Sequence, residues 1–145
     1  MAIPARLSLV TLGVRDVARS TIFYEALGWR RSSASQAGEV SFFHTDGGLL
    51  ALYGADNLAA DARISNDYRG GFRQWSLSMN LDSVGDVDAA TAEFLAAGGS
   101  MVSPPEATAW GGYSGYVADP DGHLWEIAHN PLWPTGGDGR PTLPK

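Results

Sequence analysis

The segment ADPDGHLWEIAHNP, Ala118 to Pro131, decides the fold prediction because it joins a tight turn to a short apolar strand. Asp119-Pro120-Asp121-Gly122 consists of residues that favour turns, and Leu124 to Ala128 is typical of a strand, with one carboxylate, Glu126, in its middle. Together with the preceding run, Tyr113 to Ala118, these residues predict a β-hairpin. The presence of a carboxylate inside an apolar strand therefore has to be explained.

The same pattern occurs in the first half of the chain. Val40 to Tyr53 contains two apolar runs around the turn sequence DGG, which predicts another hairpin. Ahead of it, the run Leu7 to Val14 predicts a strand. Asp16 is a candidate N-cap for a helix that Gly28 would end.

The second half repeats this order ahead of its own hairpin. Phe72 to Leu81 predicts a strand, and apolar residues at helical spacing from Val84 to Leu95 predict a helix that Gly98-Gly99 ends. The predicted fold class is therefore α+β, with two βαβββ modules that form a concave, half-open, barrel-like mixed sheet with helices on the outside. Each module is too small to bury its sheet face alone.

The length predicts one domain. A chain of 145 residues with 44% apolar content suffices for one core but not for two ordinary domains. We expect a single domain over residues 1–145, with module one at about 6–54, a linker at 55–71, module two at about 72–129 and a tail at 130–145.

Charge and composition exclude several classes of function. The formal net charge is −6, and the ten basic residues, all but Lys145 arginines, are scattered, so no basic stripe is available for nucleic acid. The absence of cysteine excludes thiolate catalysis and disulfides. The start of the chain lacks a signal-peptide layout, and no apolar run approaches the roughly 20 residues of a membrane span. We expect a cytoplasmic protein with neither nucleic acid nor membrane as a partner.

Period-2 alternation assigns each strand residue to a face of its sheet. Four apolar side chains are expected to face the helices: Leu50, Leu52, Trp125 and Ile127. The alternate residues are expected to face the concavity: Leu49, Ala51, Tyr53, Leu124, Glu126 and Ala128. Glu126 is thus predicted to be a carboxylate on a pocket wall.

Two stretches of the chain resemble a known family. LVTLGVRDVARSTIFYEALGW (9–29) and GGYSGYVADPDGHLWEIAHNP (111–131) are similar to the glyoxalase, bleomycin-resistance and dioxygenase superfamily, also called vicinal oxygen chelate proteins. The resemblance covers roughly residues 6 to 131. It implies a homodimer in which a pocket is sometimes built from both chains, whereas the fold by itself hosts enzymes and metal-free binding proteins alike.

The resemblance also implies where a metal would be held, namely on the first strand of each module and on the strand after each hairpin turn. These positions are Leu9, Ala51, Gln74 and Glu126. A zinc or nickel site needs three or four nitrogen or oxygen donors, and a non-haem iron site needs two His and one carboxylate. Two of the three histidines are expected on the face opposite Glu126 and the third at a strand end: His123, His129 and His44. We therefore expect no cofactor, and a divalent metal is disfavoured.

Three roles for Glu126 stay open. It could hydrogen-bond within the wall, since a buried charge without a partner costs several kcal/mol. It could anchor a ligand in an aromatic pocket. It could also transfer protons as a general acid or base. The candidate partners are Gln74, Ser76, Ser78, Tyr116 and, for proton transfer, His44.

Aromatic residues supply the rest of the predicted pocket. The stretch ATAWGGYSGY (107–116) concentrates three of them among glycines, whereas Trp75 alternates toward the helices and is expected in the core. The predicted ligand-binding residues are Tyr53, Gln74, Ser76, Trp110, Tyr113, Tyr116 and Glu126. The predicted function is metal-independent binding of an aromatic or amphipathic small molecule. The alternative is an enzyme of the same superfamily: a lyase, isomerase or dioxygenase-like protein with an atypical metal site, or a metal-free proton-transfer catalyst that uses Glu126.

Overall fold

The computed structural model describes residues 3–145, which form three helices and two sheets. The chain divides into two compact units: unit 1 ends at Asp67, and unit 2 spans Tyr68–Lys145. The elements are β1 (Leu9–Val14), α1 (Val17–Ala26), β2 (Val40–His44), β3 (Leu49–Gly54), α2 (Ala55–Ala62), β4 (Leu77–Asn80), α3 (Val84–Ala96), β5 (Ser100–Ala107), β6 (Tyr113–Ala118) and β7 (Leu124–His129).

Unit 1 contains a three-stranded mixed sheet in the order β1-β3-β2, with β1 parallel and β2 antiparallel to β3. Helix α1 begins at Asp16, whose side chain accepts a hydrogen bond from the Arg19 amide, as predicted for an N-cap. Gly28 follows the helix with φ of +83°, the left-handed conformation that favours glycine after a helix. The core lies between α1 and the sheet and contains Leu12, Phe23, Tyr24, Phe43 and Leu52.

Unit 2 contains a four-stranded mixed sheet in the order β4-β7-β6-β5, in which β4 is parallel to β7 and the other pairs are antiparallel. Helix α3 is capped by Ser83 and packs on β5, β6 and β7. Its core contains Val87, Phe94, Val117, Trp125 and Ile127. The α+β prediction is confirmed, with neither sheet closed into a barrel, whereas the single-domain boundaries stay a prediction.

The stretch 55–81 differs from the linker and strand that the sequence predicted. Residues 55–62 form α2, a short alanine-rich helix without buried residues, which an apolar pattern cannot reveal. Strand β4 begins at Leu77 instead of Phe72. The reason lies in the backbone: Gly70 and Gly71 have φ of +100°, and Gln74 has φ of +63°, conformations that a strand does not adopt.

Burial supports the predicted helix-facing side chains, but Ala51 and Ala128, which were expected on the opposite face, are buried as well. Leu50, Leu52, Trp125 and Ile127 are all buried on the helix side of their sheets. The prediction that Trp75 is a core residue was wrong, because it precedes β4 and its side chain is 38% exposed. Within residues 3–145, every helix is too short or too polar to cross a bilayer.

Candidate ligand-binding site

The register of the unit 2 sheet places polar side chains in one row across it. Glu126 on β7 is paired with Ser78 on β4 and with Tyr116 on β6, and Tyr116 is in turn paired with Ser103 on β5. Directly opposed residues of neighbouring strands share a face. The buried residues Trp125 and Ile127 flank Glu126 on β7, so the polar row faces away from α3.

Two hydroxyl groups hold the Glu126 carboxylate. The Ser78 hydroxyl donates to Oε1 at 3.1 Å, and the Tyr116 phenol donates to Oε2 at 3.3 Å. An ionised carboxylate accepts about four hydrogen bonds, so these two leave acceptor capacity on both oxygens. Ser78 is exposed and Glu126 half-buried, so a molecule arriving from solvent can reach the carboxylate.

The environment of Tyr116 raises the pKa of its phenol. Burial is the main cause that raises its pKa above the usual 10.0, and the charge of Glu126 and its hydrogen bond raise it further. A phenol is protonated at neutral pH even at its usual pKa of 10.0, so it donates to the carboxylate. The pair combines a fixed acceptor with a fixed donor.

A cavity of about 220 Å³ lies near the β6–β7 turn of unit 2. Two of its lining residues, Ala118 and Leu124, lie on the same face of the sheet as the polar row. Ala118 is two positions after Tyr116 on β6, and Leu124 is two positions before Glu126 on β7. Its lining residues are Gly71, Phe72, Arg73, Trp75, Val102, Ala118, Gly122, His123 and Leu124.

Two of the predicted partners of Glu126 lie elsewhere. Gln74 and Ser76 both precede β4 and are exposed, and the position beside Glu126 belongs to Ser78. The prediction for Gln74 assumed a strand from Phe72. Because β4 begins later than predicted, the residue beside Glu126 is Ser78, four positions after Gln74. A hydroxyl therefore occupies the place expected for an amide.

The aromatic residues predicted for the pocket do not all lie beside Glu126. Tyr113 donates to Asp88 Oδ1 of α3 at 2.7 Å, which places it with the helix and not with Glu126. This hydrogen bond is the main cause of its raised pKa. Trp110 lies in the β5–β6 turn with its ring over Gly112, where a Cβ atom would come within 1.8 Å of the ring. Tyr53 is on β3 of unit 1.

Sequence reasoning did not select Ser78 for the site itself, and it missed Arg73. Ser78 was named among several hydroxyls, but the deciding signal is its register with Glu126, which required knowing where β4 begins. Arg73 lies in the stretch predicted as the start of a strand, and alternation does not place its side chain because β4 begins only at Leu77.

The side chains at the expected metal positions do not fit a metal. In the observed register, the neighbour of Ala51 on β1 is Thr11, not Leu9, and the neighbour of Glu126 on β4 is Ser78. Within residues 3–145, no three His, Cys, Asp or Glu side chains are grouped so that they could hold one ion. Zinc, nickel and iron sites need more nitrogen and carboxylate donors than these residues offer.

The histidines are used elsewhere. His123 is buried with its ring 5.5 Å from that of Trp75, and the Nδ1 atom of His129 lies 3.0 Å from the Leu81 carbonyl oxygen. His44 is exposed at the end of β2, as expected.

A comparison with family models identifies the family. The model of the Glyoxalase/Bleomycin resistance protein/Dioxygenase superfamily matches residues 6–127. The chain belongs to this superfamily. The match includes both hairpin stretches, and the resemblance seen in the sequence is thereby confirmed. Curated protein sequences give no match to this glyoxalase-superfamily chain.

Solved structures agree with the assignment to the glyoxalase superfamily. A glyoxalase-related enzyme from Fulvimarina pelagi is 37% identical, with a TM-score of 0.86, and the match covers 97% of this chain and 99% of that chain. A glyoxalase/bleomycin resistance protein/dioxygenase family enzyme from Burkholderia phytofirmans PsJN is 18% identical, with a TM-score of 0.77 and coverage of 86% and 98%. A lactoylglutathione lyase from Agrobacterium tumefaciens is 23% identical, with a TM-score of 0.66 and coverage of 90% and 98%. The last two share the fold alone.

Proposed function

We propose that this member of the glyoxalase superfamily binds an aromatic or amphipathic small molecule on the polar row of unit 2, without a metal. The observation that carries the proposal is the Glu126 carboxylate, which receives one hydroxyl on each oxygen and is still reachable from solvent. A carboxylate fixed in this way is a preorganised acceptor for an N–H or O–H group of a ligand. Cytoplasmic location and a homodimeric state belong to the same proposal.

The surroundings of Glu126 suit the body of such a ligand. Its same-face neighbours on β7 are Leu124 and Ala128, and the flat ring of Tyr116 lies beside it on β6. Small and apolar side chains next to one polar group give contact area without competing hydrogen bonds. The carboxylate then sets orientation, and the apolar surface supplies most of the contact.

The first experiment tests the anchor. Planar natural products are screened by quenching of tryptophan fluorescence, and the dissociation constant of a hit is measured by calorimetry. Glu126→Gln keeps the shape but removes the charge, and it should weaken binding roughly tenfold, as the loss of one charge-assisted hydrogen bond does. Glu93→Gln, an exposed change on α3, is the matched control and should leave binding unchanged. Equal binding by the Glu126 variant would contradict the proposal.

The second experiment tests the absence of a metal. Elemental analysis of the purified protein should find well below one Zn, Ni, Fe or Mn per chain, and a chelator should leave ligand binding unchanged. Stoichiometric metal, whose removal abolishes binding, would overturn the metal-free part of the proposal.

An enzymatic function is the second candidate, favoured by the 37% identity to a structure described as a glyoxalase-related enzyme. Tyr116 and Glu126 would then be the proton-transfer groups, since a phenol and a carboxylate 3.3 Å apart can pass a proton to or from a bound molecule. Under this hypothesis Glu126→Gln abolishes turnover while binding persists. Under simple binding, affinity falls and no turnover is detected in the unmodified protein.

A further inference from the structure

The cavity near the β6–β7 turn has mostly apolar walls. Phe72, Trp75, Val102, Ala118 and Leu124 supply them, and Phe72 is 70% exposed at the edge. Its volume of about 220 Å³ exceeds the roughly 150 Å³ of an apolar cavity that accepts benzene. One ring with a short substituent therefore fits this space.

Arg73 is fixed at the wall of this cavity. Its Nη2 atom donates to the Asp121 carbonyl oxygen at 2.9 Å, and its guanidinium lies 4.2 Å from the centre of the Tyr68 ring. Its Nη1 atom lies beside Gly122, 3.6 Å from where a Cβ atom would be. A guanidinium has five N–H donors, and the bond to Asp121 uses one of them. The charge is held in place with donors to spare.

The charge at the cavity wall is positive, although the chain as a whole carries −6. Among the described residues that line the cavity, Arg73 is the one with a permanent charge. The nearby Asp119 carboxylate is buried and turned into its own loop, where Oδ1 accepts from the Asp121 and His123 amides, each at 2.9 Å. The lining does not include Asp119, so the permanent charge that the cavity wall offers a ligand is a cation.

We propose that this cavity is a second binding site, which takes a small planar carboxylate. The ring of the ligand packs against Trp75, whose indole is 38% exposed and lies beside His123. Its carboxylate lies against the Arg73 guanidinium, a pair that forms strong and directional hydrogen bonds. This site differs from the Glu126 row in the charge it selects, since Glu126 favours donors and repels anions.

The test compares benzoate with benzamide, which has nearly the same shape but no charge. Each is titrated into the ¹⁵N-labelled full chain while the Trp75 indole and Arg73 Nε–H signals are followed by NMR. Benzoate should move both signals and bind on the order of tenfold more tightly than benzamide, the difference that one charge-assisted pair supplies. Acetate, which has the charge without the ring, should bind more weakly than benzoate.

Variants separate the two sites. Arg73→Gln should remove the preference for benzoate, and Arg73→Lys, which keeps charge but not the planar fork, should retain part of it. Glu93→Gln, an exposed change on α3, should leave benzoate binding unchanged. The contacts that carry this proposal are those of Arg73 and Trp75, so failure of the Glu126 proposal does not affect it. Equal affinity of the unmodified chain for benzoate and benzamide would overturn the proposal. Benzoate binding that leaves the Trp75 and Arg73 signals unmoved would overturn it as well.

Discussion

Units 1 and 2 place a strand-helix-hairpin pattern around a central strand, yet the faces turned away from their helices differ. In unit 1 we compare the residues paired across β1, β3 and β2, and in unit 2 those paired across β4, β7 and β6. The row of unit 1 is Thr11, Ala51 and Phe42, and the row of unit 2 is Ser78, Glu126 and Tyr116. The row of unit 2 thus contains a carboxylate and a phenol hydroxyl, and the row of unit 1 contains neither.

This difference teaches that the polar groups of the row depend on each other. Glu126 is half-buried and needs donors, which Ser78 and Tyr116 supply, whereas Ala51 is 2% exposed beside a phenylalanine. A carboxylate in such a position without donors would be costly. The scaffold is shared, and the capacity for polar recognition is concentrated in unit 2.

The largest expected effect tests whether the two helix-facing cores are equivalent. Leu52 and Ile127 occupy matching places on β3 and β7 and are both fully buried. Leu52→Ala and Ile127→Ala should each lower the free energy of unfolding by about 2–5 kcal/mol, as cavity-forming changes do. Urea denaturation measures both. Leu49→Ala, on the other face of β3 and 41% exposed, is the control and should cost far less. A negligible cost for one core variant would break the equivalence.

The next effect concerns the row itself. Ala51→Glu places a carboxylate in unit 1, where Thr11 offers one hydroxyl and Phe42 offers none. We expect a loss of about 2–3 kcal/mol in unfolding free energy, measured by the same denaturation. Adding Phe42→Tyr should recover part of the loss by supplying the second donor. An unchanged unfolding free energy for Ala51→Glu would contradict the view that Glu126 needs its hydroxyl partners.

The smallest effect is the pH dependence of the Tyr116 hydrogen bond. The pKa of this phenol is raised above 10.0 in the folded state, by burial and then by Glu126, so folding favours its protonated form. Its contribution is fully present below about pH 10 and is lost as the pH rises through the folded pKa. The difference in unfolding free energy between the unmodified protein and Tyr116→Phe should therefore shrink above about pH 10, by a fraction of the roughly 1 kcal/mol of a hydrogen bond. Ultraviolet titration of both proteins checks the pKa, and a constant difference would contradict the assignment.

Much of the fold was predictable because it rests on local rules. The Asp16 cap, the glycine after α1, both hairpins and the buried sides of β3 and β7 follow from capping, turn chemistry and period-2 alternation. The site was less predictable. Gln74 was carried over from the family resemblance onto an assumed strand, and Ser76 was named as a nearby hydroxyl on that strand. Tyr113 was selected as one of three aromatic residues in the stretch 107–116.

The errors at Gln74, Ser76 and Trp75 share one cause. Alternation predicts the face of a residue only while the strand continues, and the left-handed backbone at Gln74 interrupts it. Trp75 was therefore assigned to the core, although it is half-exposed at the cavity near the β6–β7 turn. Tyr113 is a different case: it lies three positions from Tyr116 on the continuous strand β6, so alternation places the two on opposite faces. Its hydrogen bond to Asp88 of α3 agrees with that placement.

By itself the sequence determined the class of fold, the family and the presence of a carboxylate in the middle of β7, because periodicity, caps and turns are properties of neighbouring residues. Only the tertiary structure decided which hydroxyls hold Glu126, and that Arg73 lies at the wall of an apolar cavity. These contacts join residues such as Ser78 and Glu126, or Arg73 and Asp121, each pair 48 positions apart. The register between β4 and β7 brings Ser78 to Glu126, and the course of the chain outside these strands brings Arg73 to Asp121. No local preference determines either contact.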